Sequence, residues 1–301
     1  MKMKRIINKT IPSVIAAVLC VISILQINAE TIYVLDEYSY TIINNESVSL
    51  YAWDYSSDVL VVPDSFTNRY VVSVSNRAFK NDANLTAIDF SAAEHLTTIG
   101  IETFYNSGLS TKVTLTPSVT TIGERAFENC QCLPEVEIQS NINAVPSQCF
   151  NRCQSLSKVT LPETLNSIEG FAFANCPLLE YMEIPQGVSY ISPVAFKNDS
   201  NLTLGVWYDS YAYQYAKNNS INYVLLDRVK LGNANGDEYV SINDVTAIQR
   251  HIADLEFLDG IYLYAADVNR DGVVDITDAT ELQRFLAEFD VDYPIGEVIT
   301  Q

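Results

Sequence analysis

Apolar residues recur along the middle of the chain with a long, nearly constant period. Phe79, Phe104, Phe127, Phe150, Phe173 and Phe196 stand 25, 23, 23, 23 and 23 residues apart. The residue before each is small: Ala78, Thr103, Ala126, Cys149, Ala172 and Ala195. Six residues later comes Leu85, Leu133, Leu156, Leu179 or Leu202, with Leu109 one position early. Alternating pairs follow at Ile88/Phe90, Val136/Ile138, Val159/Leu161 and Met182/Ile184. A second apolar pair closes each unit: Leu96/Ile99, Val119/Ile122, Ile142/Val145, Leu165/Ile168 and Val188/Ile191. Alternation over three or four residues puts two side chains on one face of a short strand. One such unit buries too little apolar surface to fold alone, so a fixed period near 23 predicts stacked rungs sharing a continuous core.

The flanks of this array break the pattern. Residues 31–75 are rich in Tyr, Val and Thr and predict strands that shield the first rung. Residues 206–225 carry Tyr211, Ala212, Tyr215 and Ala216 at helical spacing and predict a closing cap. Trp207, Tyr208, Tyr211 and Tyr213 offer an alternative there, an aromatic platform for a sugar. Cys130, Cys153 and Cys176 fall three residues after their phenylalanines in successive units. Rungs about 5 Å apart do not exclude disulfide geometry. Three thiols in one column cannot all pair, however, so the expectation is thiols packed as small apolar groups.

The unit running Ala126-Phe127-Glu128-Asn129-Cys130, closed by an Ile-Gly such as Ile122-Gly123, resembles the leucine-rich repeats of bacterial surface antigens. The resemblance covers about residues 40–226. It implies a leucine-rich-repeat solenoid over 76–205, between an N-terminal cap with the first strands at 30–75 and a C-terminal cap at 206–227.

Charge narrows the partners. The chain of 301 residues holds 37 Asp plus Glu against 18 Lys plus Arg, a net charge of −19. No basic face survives that balance, so nucleic acid is not an expected ligand. Two histidines, His95 and His251, leave little for zinc or Ser-His-Asp chemistry. Lys2, Lys4, Arg5 and Lys9 precede an apolar run from Val14 to Leu25, and Ala29 follows as a small residue. Residues 1–29 therefore read as a cleavable signal peptide, too short in its apolar stretch to span a bilayer. Removal leaves no expected membrane span and a secreted, extracellular protein associated with a scaffold or cell surface.

From Lys230 the composition turns strongly acidic, and two segments place oxygen donors at alternate positions. The first runs Asn233, Asn235, Asp237, Tyr239, Ser241, Asp244; the second runs Asp267, Asn269, Asp271, Val273, Asp275, Asp278. Donors at loop positions 1, 3, 5, 9 and 12, with a backbone carbonyl at 7, let a short turn wrap a hard cation. An amphipathic helical pattern follows each loop, with Val245, Ile248 and Ile252 on one face of the first and Leu282, Phe285 and Leu286 on the second.

This duplicated loop–helix unit resembles a type I dockerin, spanning 228–293 with a tail at 294–301. The fold class that follows is α+β: a leucine-rich-repeat solenoid and a small all-α calcium-binding dockerin with two EF-hand-like units. The resemblance implies Ca2+ as cofactor, held by the two donor sets just named, and a cohesin module of a cellulosome scaffold as partner. The cohesin-facing positions would be Ile242, Asn243, Gln249 and Arg250, and Ile276, Thr277, Gln283 and Arg284. Loop one departs from the pattern. Asn233 stands at position 1 in place of Asp, and Glu238 occupies position 6, where a sharp turn favours Gly. It has two acidic donors against four in loop two, so the second site is expected to be the tighter.

The chain then reads as a non-catalytic binding or adhesion protein, linked to polysaccharide breakdown, whose solenoid takes an unidentified protein or glycan. Two alternatives stand beside it: a dockerin-bearing glycoside hydrolase with an unrecognised site, or an accessory or inhibitory protein of the same complex. Hydrolysis needs two carboxylates at a set separation. Glu124, Glu163 and Glu183 fall at differing places in their units, as on a solvated surface.

Overall fold

The computed structural model describes residues 23–27, 30–35, 38–53 and 58–299. The export segment read over 1–29 lies outside these, apart from Ser23–Ile27, which pairs antiparallel with Glu30–Leu35. Tyr38–Ile42 and Ser47–Trp53 extend this antiparallel edge. Ser47–Trp53 then lies parallel to Arg69–Val74, and from there parallel pairing runs into the array through Thr98–Ile99 and Thr121–Ile122. The N-terminal segment thus gives the first rung a hydrogen-bonded neighbour.

Each rung supplies short strands in register with the next. Val113, Val136 and Val159 align on the sheet formed by Val113–Leu115, Glu135–Ile138 and Lys158–Thr160. Ala144–Val145, Ser167–Ile168 and Tyr190–Ile191 form a second ladder. The phenylalanines stack into one column, with neighbouring centroids 5.5, 5.2, 5.4, 5.5 and 5.8 Å apart from Phe79 to Phe196. Their amides are ladder donors too: the Phe127 N–H reaches the Cys149 carbonyl at 3.0 Å and that of Phe150 the Ala172 carbonyl at 2.8 Å.

The turns around the phenylalanines take left-handed backbone on both sides, except before Phe196. Arg77, Glu102, Arg125, Gln148 and Phe171, two residues before, have φ of 53–62°. Two residues after stand Asn81, Asn106, Asn129, Arg152, Asn175 and Asn198, also at positive φ. Asn tolerates that region better than other residues with a side chain. Its amide adds a ladder as well, with Asn129 Nδ2 donating to Asn106 Oδ1 at 2.6 Å and Asn198 to Asn175 at 2.7 Å.

The five cysteines among the described residues are free thiols. Cys130, Cys153 and Cys176 are buried, and their Sγ atoms donate to the carbonyls of Phe104, Phe127 and Phe150 at 3.1, 3.3 and 3.2 Å. Burial pushes the Cys130 thiol up to about 11 and the others upward, which removes them as nucleophiles.

Asp82 and Asp199 occupy this column at its two ends. Asp199 Oδ1 accepts the Cys176 N–H at 2.6 Å, while its Oδ2 is buried without a hydrogen-bond partner among the described residues. Burial lifts this carboxyl to about 7. In the unfolded chain it titrates near 4, so its stabilising contribution is complete below that pH and is lost as pH rises to 7. Asp199→Asn should remove this slope and stabilise the solenoid above pH 7 by on the order of 2 kcal/mol. Urea melts of both proteins at pH 4.5 and 8 test this, and an unchanged difference between the two pH values would refute it.

Four helices follow or close the array: α1 (Tyr211–Asn219), α2 (Ile242–Ile252), α3 (Gly260–Ala266) and α4 (Ile276–Leu286). In α1, Tyr213, Tyr215 and the two alanines are buried, whereas Tyr211 is exposed. The four aromatics considered as a platform are therefore divided between core and surface, and α1 caps the array. The C-terminal module is helical around a core of Leu231, Val245, Ile248, Val268, Ala279 and Leu282. Ile252, expected on the buried face of α2, is 38% exposed because it lies at the fraying end of the helix. Of the segment 294–301, expected to be a tail, residues 294–299 belong to the module, and 300–301 lie outside the described residues. Ile295 is buried in its core, and Val298–Ile299 pairs antiparallel with Val229–Lys230.

Candidate metal centre and partner-docking helices

Each acidic loop ends in a helix whose first turn it also caps. Ser241 is the N-cap of α2 and Asp275 that of α4, each in a capping box with Asp244 or Asp278. Such a box satisfies two donors of the open helix end. Asp244 and Asp278 are fully buried, an environment carboxylates tolerate only when well bonded. Asp278 Oδ1 accepts from the Val268 and Asn269 amides at 2.7 and 3.1 Å, and Oδ2 from the Asp275 amide at 2.8 Å. Asp244 repeats this with Asn235 and Ser241 at 3.0 and 2.7 Å. Position 12 thus ties the start of each loop to its helix.

Within the loops the donor side chains bond one another and neighbouring loop amides. Asp271 Oδ1 accepts the Val273 N–H, and Asn269 Nδ2 donates to Asp271 Oδ2, both at 2.9 Å. Asn235 and Asp237 do the same in loop one, at 2.9 Å. Position 1 separates the two loops. Asp267 accepts amides from Asp271 at 3.1 Å and Gly272 at 2.9 Å, on one oxygen each. Asn233 instead donates its Nδ2 to the Asp237 carbonyl at 2.5 Å and accepts the Gly236 N–H at 3.0 Å. A carboxylate has no such donor. Asn233 therefore closes loop one on itself through a bond that no Asp could make.

Turn geometry differs as well. Gly272 at position 6 has φ +90° with open space around a notional Cβ. Position 4 is left-handed in both loops, at Gly236 (φ +75°) and Arg270 (φ +62°), while Glu238 at position 6 lacks the positive φ of Gly272. A Cβ on Gly236 would come within 2.4 Å of the Tyr262 ring. Space, besides conformation, fixes this glycine.

Tyr262 links loop one to the solenoid. Its ring meets the Tyr208 ring edge-on at 5.5 Å, and Tyr208 in turn tilts onto Tyr213 of α1 at 5.5 Å. The Tyr208 hydroxyl donates to the Asp259 carboxylate, and a Cβ on Gly260 would overlap the Tyr208 ring. Burial and then Asp259 hold that phenol above its ordinary range. Ile261 and Ala265 of α3 join the solenoid core. This contact between modules was invisible in the sequence, where α3 carries no repeat and no loop motif. The only local trace is Asp259-Gly260 before an aromatic-rich turn.

The eight expected partner-facing residues are all exposed: Ile242, Asn243, Gln249 and Arg250 on α2, and Ile276, Thr277, Gln283 and Arg284 on α4. Ile242 and Ile276 are apolar yet 60% and 59% exposed. Arg250 pairs with Glu256 at 2.8 Å and Arg284 with Glu281 at 2.9 Å. The solenoid covers neither set.

Among the described residues, no three His, Cys, Asp or Glu side chains stand together as a group that could hold a metal ion. Only two of loop one's six donors are acidic, and in both loops the acid oxygens already bond loop amides. The set is oxygen only, with carboxylates, amides and one carbonyl per loop, which fits a hard divalent cation such as Ca2+ and excludes a soft one.

Residues 72–203 match the family model of the BspA type leucine rich repeat region, in six copies, and residues 231–287 match the type I dockerin domain. None of the curated proteins matches the chain. Among solved structures, it is similar to a leucine rich cell surface protein from Faecalibacterium prausnitzii, at 23% identity over 60% of this chain and 55% of that one, with a TM-score of 0.41. It is also similar to a leucine-rich repeat protein from Eubacterium ventriosum, at 22% identity over 54% and 50%, with a TM-score of 0.42. The chain spans about half the length of these two.

Proposed function

Because the chain carries a BspA-type leucine-rich repeat region followed by a type I dockerin domain, we propose that it is a non-catalytic extracellular binding protein moored to a cellulosome scaffold. A dockerin implies binding to cohesin and to calcium. On this reading residues 1–29 direct export and are removed, α2 and α4 present the cohesin-facing residues, and the solenoid meets a further ligand during polysaccharide breakdown. The observation that carries it is the pair of exposed docking faces, each set by a buried position-12 carboxylate. Calcium would be held by Asn233, Asn235, Asp237, Ser241, Asp244 and the Tyr239 carbonyl, and by Asp267, Asn269, Asp271, Asp275, Asp278 and the Val273 carbonyl. There it would neutralise carboxylates whose mutual repulsion opposes the folded loop. Capture of the full chain by immobilised cohesins, with calcium and with chelator, tests the mooring. No capture by any type I cohesin would refute it.

The two sites are unequal on this account. Asn233 closes loop one with its own amide, and loop one brings fewer charges to the cation, so loop two binds first. Asn233→Asp should raise the affinity of the weaker site by about tenfold, since ligand charge tunes such loops. Calcium titration of both full-length proteins reads this, and identical isotherms would contradict it.

A further inference from the structure

Gly205 is a glycine that its backbone does not require. It sits in the strand Thr203–Val206, between Glu183 on one neighbour and Val224 on the other, and its φ is not positive. An interior strand glycine costs stability, and commonly marks a place where something must approach closely. Its neighbours Leu204 and Val206 point into the core, so position 205 lies on the opposite face of the strand, where Tyr181 and Glu183 cover it and leave it buried. Thr114, Glu137 and Thr160 form the same outward column on the rungs before it.

Leaving out the side chain there has one direct consequence. It lets Tyr181 lie across the strand: a Cβ at 205 would fall 2.5 Å from the Tyr181 hydroxyl and 3.0 Å from Glu183 Cγ. The phenol donates to Glu183 Oε1 at 3.1 Å, which fixes the ring. Tyr181 so placed walls a cavity of about 650 Å³ together with Glu183, Glu163, Lys158 and Trp207. That size is ordinary for a small-molecule site. Trp207 is half-exposed at this wall, and it is one of two tryptophans in the chain.

The charges select the occupant. Lys158 pairs with Glu135 at 3.0 Å, and the wall carries two carboxylates, Glu163 and Glu183, against this one ammonium. Glu163 and Glu183 remain as acceptors, and they repel phosphates, uronates and other anions. Carboxylates accept hydrogen bonds from hydroxyl groups, and the faces of Trp207 and Tyr181 match the C–H face of a pyranose ring. The geometry points to a binding site for a neutral glycan chain at the C-terminal end of the solenoid, with Gly205 as the residue that positions Tyr181. This deepens the reading of the solenoid as a binding face and does not depend on the dockerin.

The test is affinity electrophoresis and calorimetry of the full chain, with calcium, against soluble mixed-linkage β-glucan, xyloglucan, galactomannan and arabinoxylan. Polygalacturonate and a lysine-rich peptide serve as the anionic and cationic arms. Retention by at least one neutral polysaccharide is expected, weakened more than tenfold in Trp207→Ala and in Gly205→Val. Trp207→Phe should keep part of it. Circular dichroism of each variant establishes that it is folded, and cohesin capture of the same samples reports the mooring separately. Absence of binding to all four neutral polysaccharides, equal binding by the folded variants, or preference for polygalacturonate or the peptide would each overturn the proposal.

Discussion

Phe150→Ala should cost the solenoid about 3–5 kcal/mol, a large share of the roughly 5–15 kcal/mol that holds a typical domain folded. Phe150 is fully buried, and its ring stacks on Phe127 at 5.4 Å and on Phe173 at 5.5 Å. Truncation leaves a cavity that two neighbouring rungs must both line, and close packing lets them relax only partly. It also removes two ring contacts, each contributing up to about 1 kcal/mol beyond burial. Because rungs contact only their neighbours, a central loss uncouples the array into two short halves. Phe79→Ala, at one end, loses one ring neighbour and should cost about 1 kcal/mol less. Urea denaturation followed by the β-sheet signal measures both, and a loss below about 1 kcal/mol for Phe150→Ala would contradict the stacked-column account.

Asp278→Ala should destabilise the C-terminal module by about 3 kcal/mol or more, against a smaller effect on the solenoid. The carboxylate is fully buried and satisfies the amides of Val268, Asn269 and Asp275. Truncation orphans all three, and each buried unsatisfied amide costs about 1–3 kcal/mol. It also breaks the capping box of α4 and removes a proposed calcium ligand. Asp278→Asn retains one acceptor and should cost less. Asp244→Ala orphans two amides, Asn235 and Ser241, and should fall between them. Helical circular dichroism under denaturant ranks the three, and equal midpoints would refute the role given to position 12.

The sequence reveals the repeat well because each rung solves the same packing problem. A phenylalanine with a small residue before it, followed by a leucine and an alternating pair, repeats wherever the turn and the strand repeat. The calcium loops are legible for a similar reason, since donors at alternate positions leave a pattern in oxygen-bearing residues. What remains hidden depends on contacts between distant segments. Tyr262 reaches both Gly236 and Tyr208 only after α3 packs against the end of the solenoid core. The residue carrying that contact looks like any aromatic in a short helix. Gly205 is equally mute in sequence, because its lack of a side chain acquires meaning only once Tyr181 and Trp207 stand beside it. The closure of loop one by Asn233 sits between these cases: the residue type is visible as a departure, while its bond to the Asp237 carbonyl is not.

Calcium titration of the full chain, freed of metal and followed by heat and by helical signal, tests the central claim most directly. The account predicts saturable binding with Kd at or below about 10⁻⁵ M for the tighter site, abolished by Asp271→Ala, with helical signal rising in step. No binding up to millimolar calcium, or binding unaltered in Asp271→Ala, would contradict it.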